Sequence, residues 1–85
     1  MTHELKVWAE YFNEVATGKK PFEVRKNDRN FKENDILFLR EWNNETKEYT
    51  GRSVQLIVTY ILHGGQFGIA RGYVVMGLQK RLVQF

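Results

Sequence analysis

The stretch Trp8-Ala9-Glu10-Tyr11-Phe12-Asn13-Glu14-Val15-Ala16-Thr17-Gly18-Lys19-Lys20-Pro21-Phe22-Glu23-Val24-Arg25 contains a change of period that decides the fold. In its first half Trp8, Tyr11, Phe12, Val15 and Ala16 recur at i, i+3, i+4, i+7 and i+8, one apolar stripe on a short helix. No strong N-cap residue precedes it, although Glu10 in the first turn suits the helix dipole. Gly18 can take the left-handed conformation that ends a helix, and Pro21 blocks any continuation. From Phe22 the period becomes two, with Phe22 and Val24 on one face of a strand and Glu23 and Arg25 on the other.

Outward from this junction the chain reads as strands. Upstream, His3-Glu4-Leu5-Lys6-Val7-Trp8 alternates as a half-buried strand does. Downstream, Asn27-Asp28-Arg29-Asn30 and Glu33-Asn34-Asp35 read as turns, with Asn34 suited to positive φ. Ile36-Leu37-Phe38-Leu39 is an apolar run, consistent with a strand buried on both faces, and Arg40-Glu41-Trp42 carries it outward. Residues 43–51 form a polar hairpin tip, and residues 53–62, rich in Val, Ile, Thr and Tyr, form a long return strand. A loop with three glycines follows, His63-Gly64-Gly65-Gln66-Phe67-Gly68. Tyr73 to Leu78 is then the last clear strand, with Leu82-Val83 as its extension. Strand, helix and four further strands in this order predict an α+β fold. It is a small β-barrel of mostly antiparallel strands with one N-terminal helix.

Size and composition bound the function. Eighty-five residues make one domain, 1–85, with a thin core. The absence of cysteine excludes disulfides, thiolate catalysis and thiolate zinc sites. No stretch approaches the 18 apolar residues of a membrane span, and no secretory leader opens the chain, so a soluble cytoplasmic protein is expected. The net charge of +3 is concentrated: residues 18–32 hold six cations against two carboxylates, a net +4, which leaves −1 for the rest. A localised basic run suits a polyanion such as nucleic acid; a solvated surface accounts for it equally well.

Gly18-x-Lys20-x-x-Glu23-x-Arg25 resembles the G-x-K-x-x-E-x-R signature of ASCH domains, which are similar in fold to the PUA domain of RNA-modifying enzymes. The wider sequence is similar to a small phage and bacterial subgroup of that family. The similarity runs through Phe22-Glu23-Val24-Arg25-Lys26-Asn27-Asp28-Arg29, Leu39-Arg40-Glu41-Trp42, Gly64-Gly65-Gln66-Phe67-Gly68 and Gly72-Tyr73-Val74-Val75-Met76. Asn34 stands where the family usually has glycine, a change that the turn geometry tolerates. The resemblance implies a PUA-like barrel with a cleft beside the signature and a role in binding RNA or a nucleotide.

Lys20, Glu23 and Arg25 are the leading candidates: two cations can hold a phosphate while the carboxylate accepts a base amino group. The plainer alternative is a structural salt bridge between Glu23 and Arg25 that closes the barrel mouth. Lys26 and Arg29 on the following loop could contact phosphates. Among Trp42, Tyr60, Phe67 and Tyr73, Phe67 is the best candidate for base stacking because it stands on a glycine loop. Gln66 beside it offers a donor and an acceptor to a base edge. His3 and His63 lack ligand-spaced partners, so no metal site is expected, nor any cofactor. Gly64-Gly65-x-x-Gly68 lacks the helix and lysine of a phosphate loop.

Some ASCH-superfamily members hydrolyse N4-acylated cytidines with a lysine, a threonine and a glutamate. Lys20 matches that lysine, but Glu23 replaces the hydroxyl residue three positions on, and no later glutamate matches. A binding module is therefore preferred to such an amidohydrolase. The third class is a protein-interaction module, to which the acidic hairpin (Glu41, Glu45, Glu48) and the apolar Leu82-Val83-Gln84-Phe85 could contribute, the latter also as a homodimer contact.

Overall fold

In the computed structural model, which describes residues 1–81, the chain runs β1 (Thr2–Trp8), α1 (Ala9–Ala16), β2 (Phe22–Lys26), β3 (Ile36–Asn43), β4 (Glu48–His63) and β5 (Tyr73–Lys80). The five strands form one curled sheet, a half-barrel, in the order β1-β3-β4-β5-β2. Strands β3, β4 and β5 are a meander of antiparallel neighbours; β2 adds antiparallel to β5, and β1 lies parallel to β3, with His3 opposite Leu37 and Leu5 opposite Leu39. The expected strand extension at Leu82-Val83 and the homodimer contact at residues 82–85 lie outside the described residues.

The alternation read in β1 holds, with His3, Leu5 and Val7 buried and Glu4, Lys6 and Trp8 outward. The helical stripe is narrower than its spacing predicts. Phe12 and Val15 are buried on the half-barrel, whereas Trp8 precedes the helix and Tyr11 is half-exposed. Gly18 takes φ +83 just beyond the helix, and the Lys20 N–H donates to Glu14 O at 2.8 Å, which turns the chain toward β2.

Three further features differ from the sequence reading. Strand β3 alternates, with Leu37 and Leu39 fully buried but Ile36 and Phe38 only half-buried, because one side of the sheet faces solvent. Strand β4 begins at Glu48 rather than 53, since its polar residues still find a ladder on the outward end of β3: Trp42 pairs with Tyr49 and Asn43 with Glu48. Phe31, in the polar segment between β2 and β3, is buried and meets the His3 ring edge-on at 4.8 Å, closing one end of the core.

Candidate nucleic-acid interface

Strand β2 is turned inside out relative to its hydrophobicity. Glu23 and Arg25 face the interior, opposite Met76 and Val74, while Phe22 and Val24 face out with 43% and 50% exposure. The reason lies at the open seam of the half-barrel, where β1 and β2 are the two outermost strands. Arg25 Nη2 donates to Lys6 O at 2.6 Å, and Arg29 Nη1 donates to Glu4 O at 2.8 Å. Alternate carbonyls on the free edge of β1 are thus satisfied by guanidinium groups rather than by a strand ladder. Arg25 also donates from Nε to Glu23 Oε2 at 2.7 Å, and Lys20 Nζ lies 3.5 Å from Glu23 Oε1. The buried Glu23 carboxylate therefore has a cation on each oxygen.

The candidate residues fall into three groups. Lys20 lines a depression of about 370 Å³ between the end of α1 and β5, floored by Val15, Leu56 and Leu78 and faced by Lys80. Arg25, Lys26 and Arg29 border a second depression of about 290 Å³ along the seam, with Glu23 between the two groups. Gln66 and Phe67 stand apart from Lys20, for their loop follows β4 and enters β5 at Tyr73. Pro21 meets β5 at Leu78, five residues and about 16 Å further along. Gln66 folds back to donate from Nε2 to His63 O at 3.0 Å, while Phe67 is 80% exposed at φ +51.

Sequence reasoning passed over several polar partners. Lys80 gave no signal because it is an ordinary strand-end lysine; only the β5–β2 register brings it near Lys20. Glu41, expected to contribute to an acidic interaction face on the hairpin, is instead buried, bound by the Thr50 hydroxyl at 2.6 Å and by Arg52, whose Nη2 also donates to Asn13 Oδ1 at 2.7 Å and so ties α1 to the hairpin. On the outer face Lys6 stacks 3.9 Å from the Trp42 ring centroid and Arg40 3.7 Å from that of Tyr49. These cations cover aromatic faces that would otherwise be free to stack a base.

Asp35 is the other heavily invested carboxylate. Burial pushes its pKa up, but hydrogen bonds from His3, the Lys32 N–H and the N-terminal ammonium outweigh burial and hold it below the usual value. It fastens the turn before β3 to β1. The same turn, with Asn34 at φ +73, is locked onto β4 by Asn34 N–H to Val58 O and Val58 N–H to Asp35 O, both 2.8 Å. Among the described residues no three histidine, cysteine or carboxylate side chains gather as a metal site, and no helix is long and apolar enough to cross a membrane.

A five-stranded, curled half-barrel with one short helix and a cation-flanked carboxylate at its seam is thus the class of domain at hand. The chain belongs to the DUF3850 family, described as a domain of unknown function, whose model matches residues 2–78. It is also similar to an uncharacterized 12.9 kDa protein in the GpA 3′ region of Escherichia phage P2, 46% identical over 57 residues. That match covers 67% of this chain and 50% of the phage protein, so the chain matches half the length of that relative.

Proposed function

We propose that the domain is an RNA- or nucleotide-binding module of the PUA-like, ASCH type, which receives a phosphate at the Lys20 corner. One observation carries this reading. Arg25 and Arg29 are committed to backbone carbonyls, whereas Lys20 keeps a partly exposed ammonium at the rim of an apolar-floored depression, with Lys80 facing it. Two mobile ammonium groups over apolar ground attract a phosphate without selecting a base. Exposed Lys19 and Lys26 extend the positive field along the same segment.

The amidohydrolase alternative finds less support. Glu23, at the position of the hydroxyl residue, is saturated by Lys20 and Arg25. The Thr17 hydroxyl, which borders the same depression, donates its proton to the Asn13 carbonyl at 2.7 Å rather than to a side-chain base.

Fluorescence anisotropy of a labelled RNA pool at two salt concentrations tests the reading. With two to three phosphates neutralised, log affinity should fall against log salt with a slope near −1.5 to −2. The Lys20→Ala, Lys80→Ala double variant should lose both the affinity and the slope. Wild-type protein that binds no RNA, or a double variant that binds as wild type does, would sink the proposal.

A further inference from the structure

The outer face of β2, β5 and β4 does not look like solvent-facing sheet. Its side chains include Phe22 and Val24 on β2, Tyr73 and Val75 on β5, and Tyr60 and Leu62 on β4. Tyr60 is 61% exposed. The residues of these strands that point outward include no carboxylate: Glu23, the one acid of β2, is turned inward, and neither β5 nor β4 from residue 53 onward contains any.

The register defines a slot on this face. Phe22 pairs with Gly77, and Gly77 pairs with Tyr60, so two aromatic side chains flank a residue that has none. Their backbones lie two strand spacings apart, about 9.6 Å. A planar ring held between two others needs van der Waals contact on both faces, about 7–8 Å in all. Tyr60 reaches this position through the β-bulge between Val58 and Tyr60, the device by which sheets re-aim a side chain. The bulge also places the Thr59 hydroxyl over Gly77, where a Cβ would come within 2.8 Å of its oxygen. The slot is therefore flanked by two rings and carries a hydroxyl, which can donate to or accept from a base edge. At its β2 end Lys20 Nζ lies 5.5 Å from the Phe22 ring centroid.

We infer that the Phe22–Gly77–Tyr60 row is a nucleobase slot on the outside of the sheet, and that Lys20 holds the phosphate attached to the inserted base. This inference rests on the proposed nucleotide-binding role of Lys20 and assigns the base to the outer face rather than to the seam. The chemistry recognised is a nucleobase bearing a phosphate: ring stacking tolerates every base, and Lys20 and Lys26 complement the phosphate charge. An acid-free face with a hydroxyl at its centre and a cation at its edge fits this ligand better than an apolar protein surface.

The test is an anisotropy titration with labelled oligouridylate and with an abasic ribose–phosphate oligomer of equal length, using wild type, Phe22→Leu, Tyr60→Leu, Tyr60→Trp and Lys20→Ala. All three substituted positions lie outside the core, and thermal melting checks each variant's fold. Stacking predicts that Phe22→Leu and Tyr60→Leu weaken oligouridylate binding about five-fold or more, Tyr60→Trp preserves it, and binding of the abasic oligomer is unmoved by all three. Displacement of the labelled strand by uridine monophosphate would assign the slot to a free nucleotide, and failure to displace it to a strand; both keep the base in the slot. If both leucine variants bind as wild type while Lys20→Ala does not, the slot is overturned and the Lys20 reading stands. Wild type that binds neither oligomer overturns both. A wild-type dimer in sedimentation that Tyr60→Lys splits, with RNA binding indifferent to Tyr60→Leu, would give the face to a second copy and also overturn the slot.

Discussion

The basic run between the helix and β3 serves two regions in opposite ways. At the seam, Arg25 and Arg29 are spent on Lys6 O and Glu4 O, and the guanidinium forks act as part of the barrel wall. At the corner below α1, Lys20 touches Glu23 loosely, at 3.5 Å, and stays within reach of a ligand. The difference follows from side-chain chemistry: a planar fork with several fixed donors suits carbonyls aligned on a strand edge, and a single ammonium on a flexible stem does not. Equal formal charge in a sequence is therefore not equal availability to a ligand.

The comparison breaks hardest at Glu23, which joins the two regions. Glu23→Ala leaves Lys20 and Arg25 without their counter-charge and should destabilise the fold by roughly 2–4 kcal/mol, less than for a fully enclosed pair because both cations are partly exposed. Urea denaturation measures this, and a loss below about 1 kcal/mol would show that the pair does not hold the seam. Arg25→Met keeps an apolar stem but removes two charge-assisted hydrogen bonds. It should cost about 1.5–3 kcal/mol in the same experiment, and RNA affinity should fall little once the protein is kept folded.

A third outcome concerns pH. The Asp35 pKa is depressed in the folded state, so its contribution is complete above the unfolded carboxylate pKa, about 3.9. It is lost as pH falls from there through the folded value. Asp35→Asn should therefore lower stability at neutral pH and flatten the acid limb of a melting-temperature profile below about pH 4. An unchanged acid limb would remove Asp35 from the account. The smallest stability effect is expected at Lys20: Lys20→Ala should stay within about 1 kcal/mol of wild type, as a partly solvated ion pair does, while RNA affinity drops. A large loss of stability there would erase the distinction between corner and seam.

Much of the fold was legible because it is written in local periods. The switch at Gly18–Pro21, the left-handed turn at Asn34 and the meander of the last three strands each depend on neighbours close in sequence. What escaped is set at long range. Nothing near Thr2 announces a parallel partner beginning at Ile36, and Phe31 sits in a polar segment whose burial depends on His3, 28 positions away. Lys20, Glu23 and Arg25 could be singled out from residue types and a family resemblance. Their division of labour could not, because it turns on which face of β2 meets the interior. Phe22 and Val24 are the more apolar pair, yet the seam needs Arg25 inside, and the pleat then carries Glu23 with it.

The strand order has a consequence for how the chain comes to its native state. The meander of β3, β4 and β5 is contiguous in sequence and can form from local hairpins, but both strands that precede it take the outermost places. Strand β2 must wait for β5, pairing Phe22 with Gly77 across 55 positions of chain. During synthesis β1 can pair once β3 has emerged, whereas β2 stays unpaired until β5, near the end of the described chain, has left the ribosome. Folding should be limited by the closing of these two distant partnerships. A circular permutant cut between β2 and β3 would shorten the β2–β5 separation and lengthen the β1–β3 one, so its folding rate tests which closure is limiting.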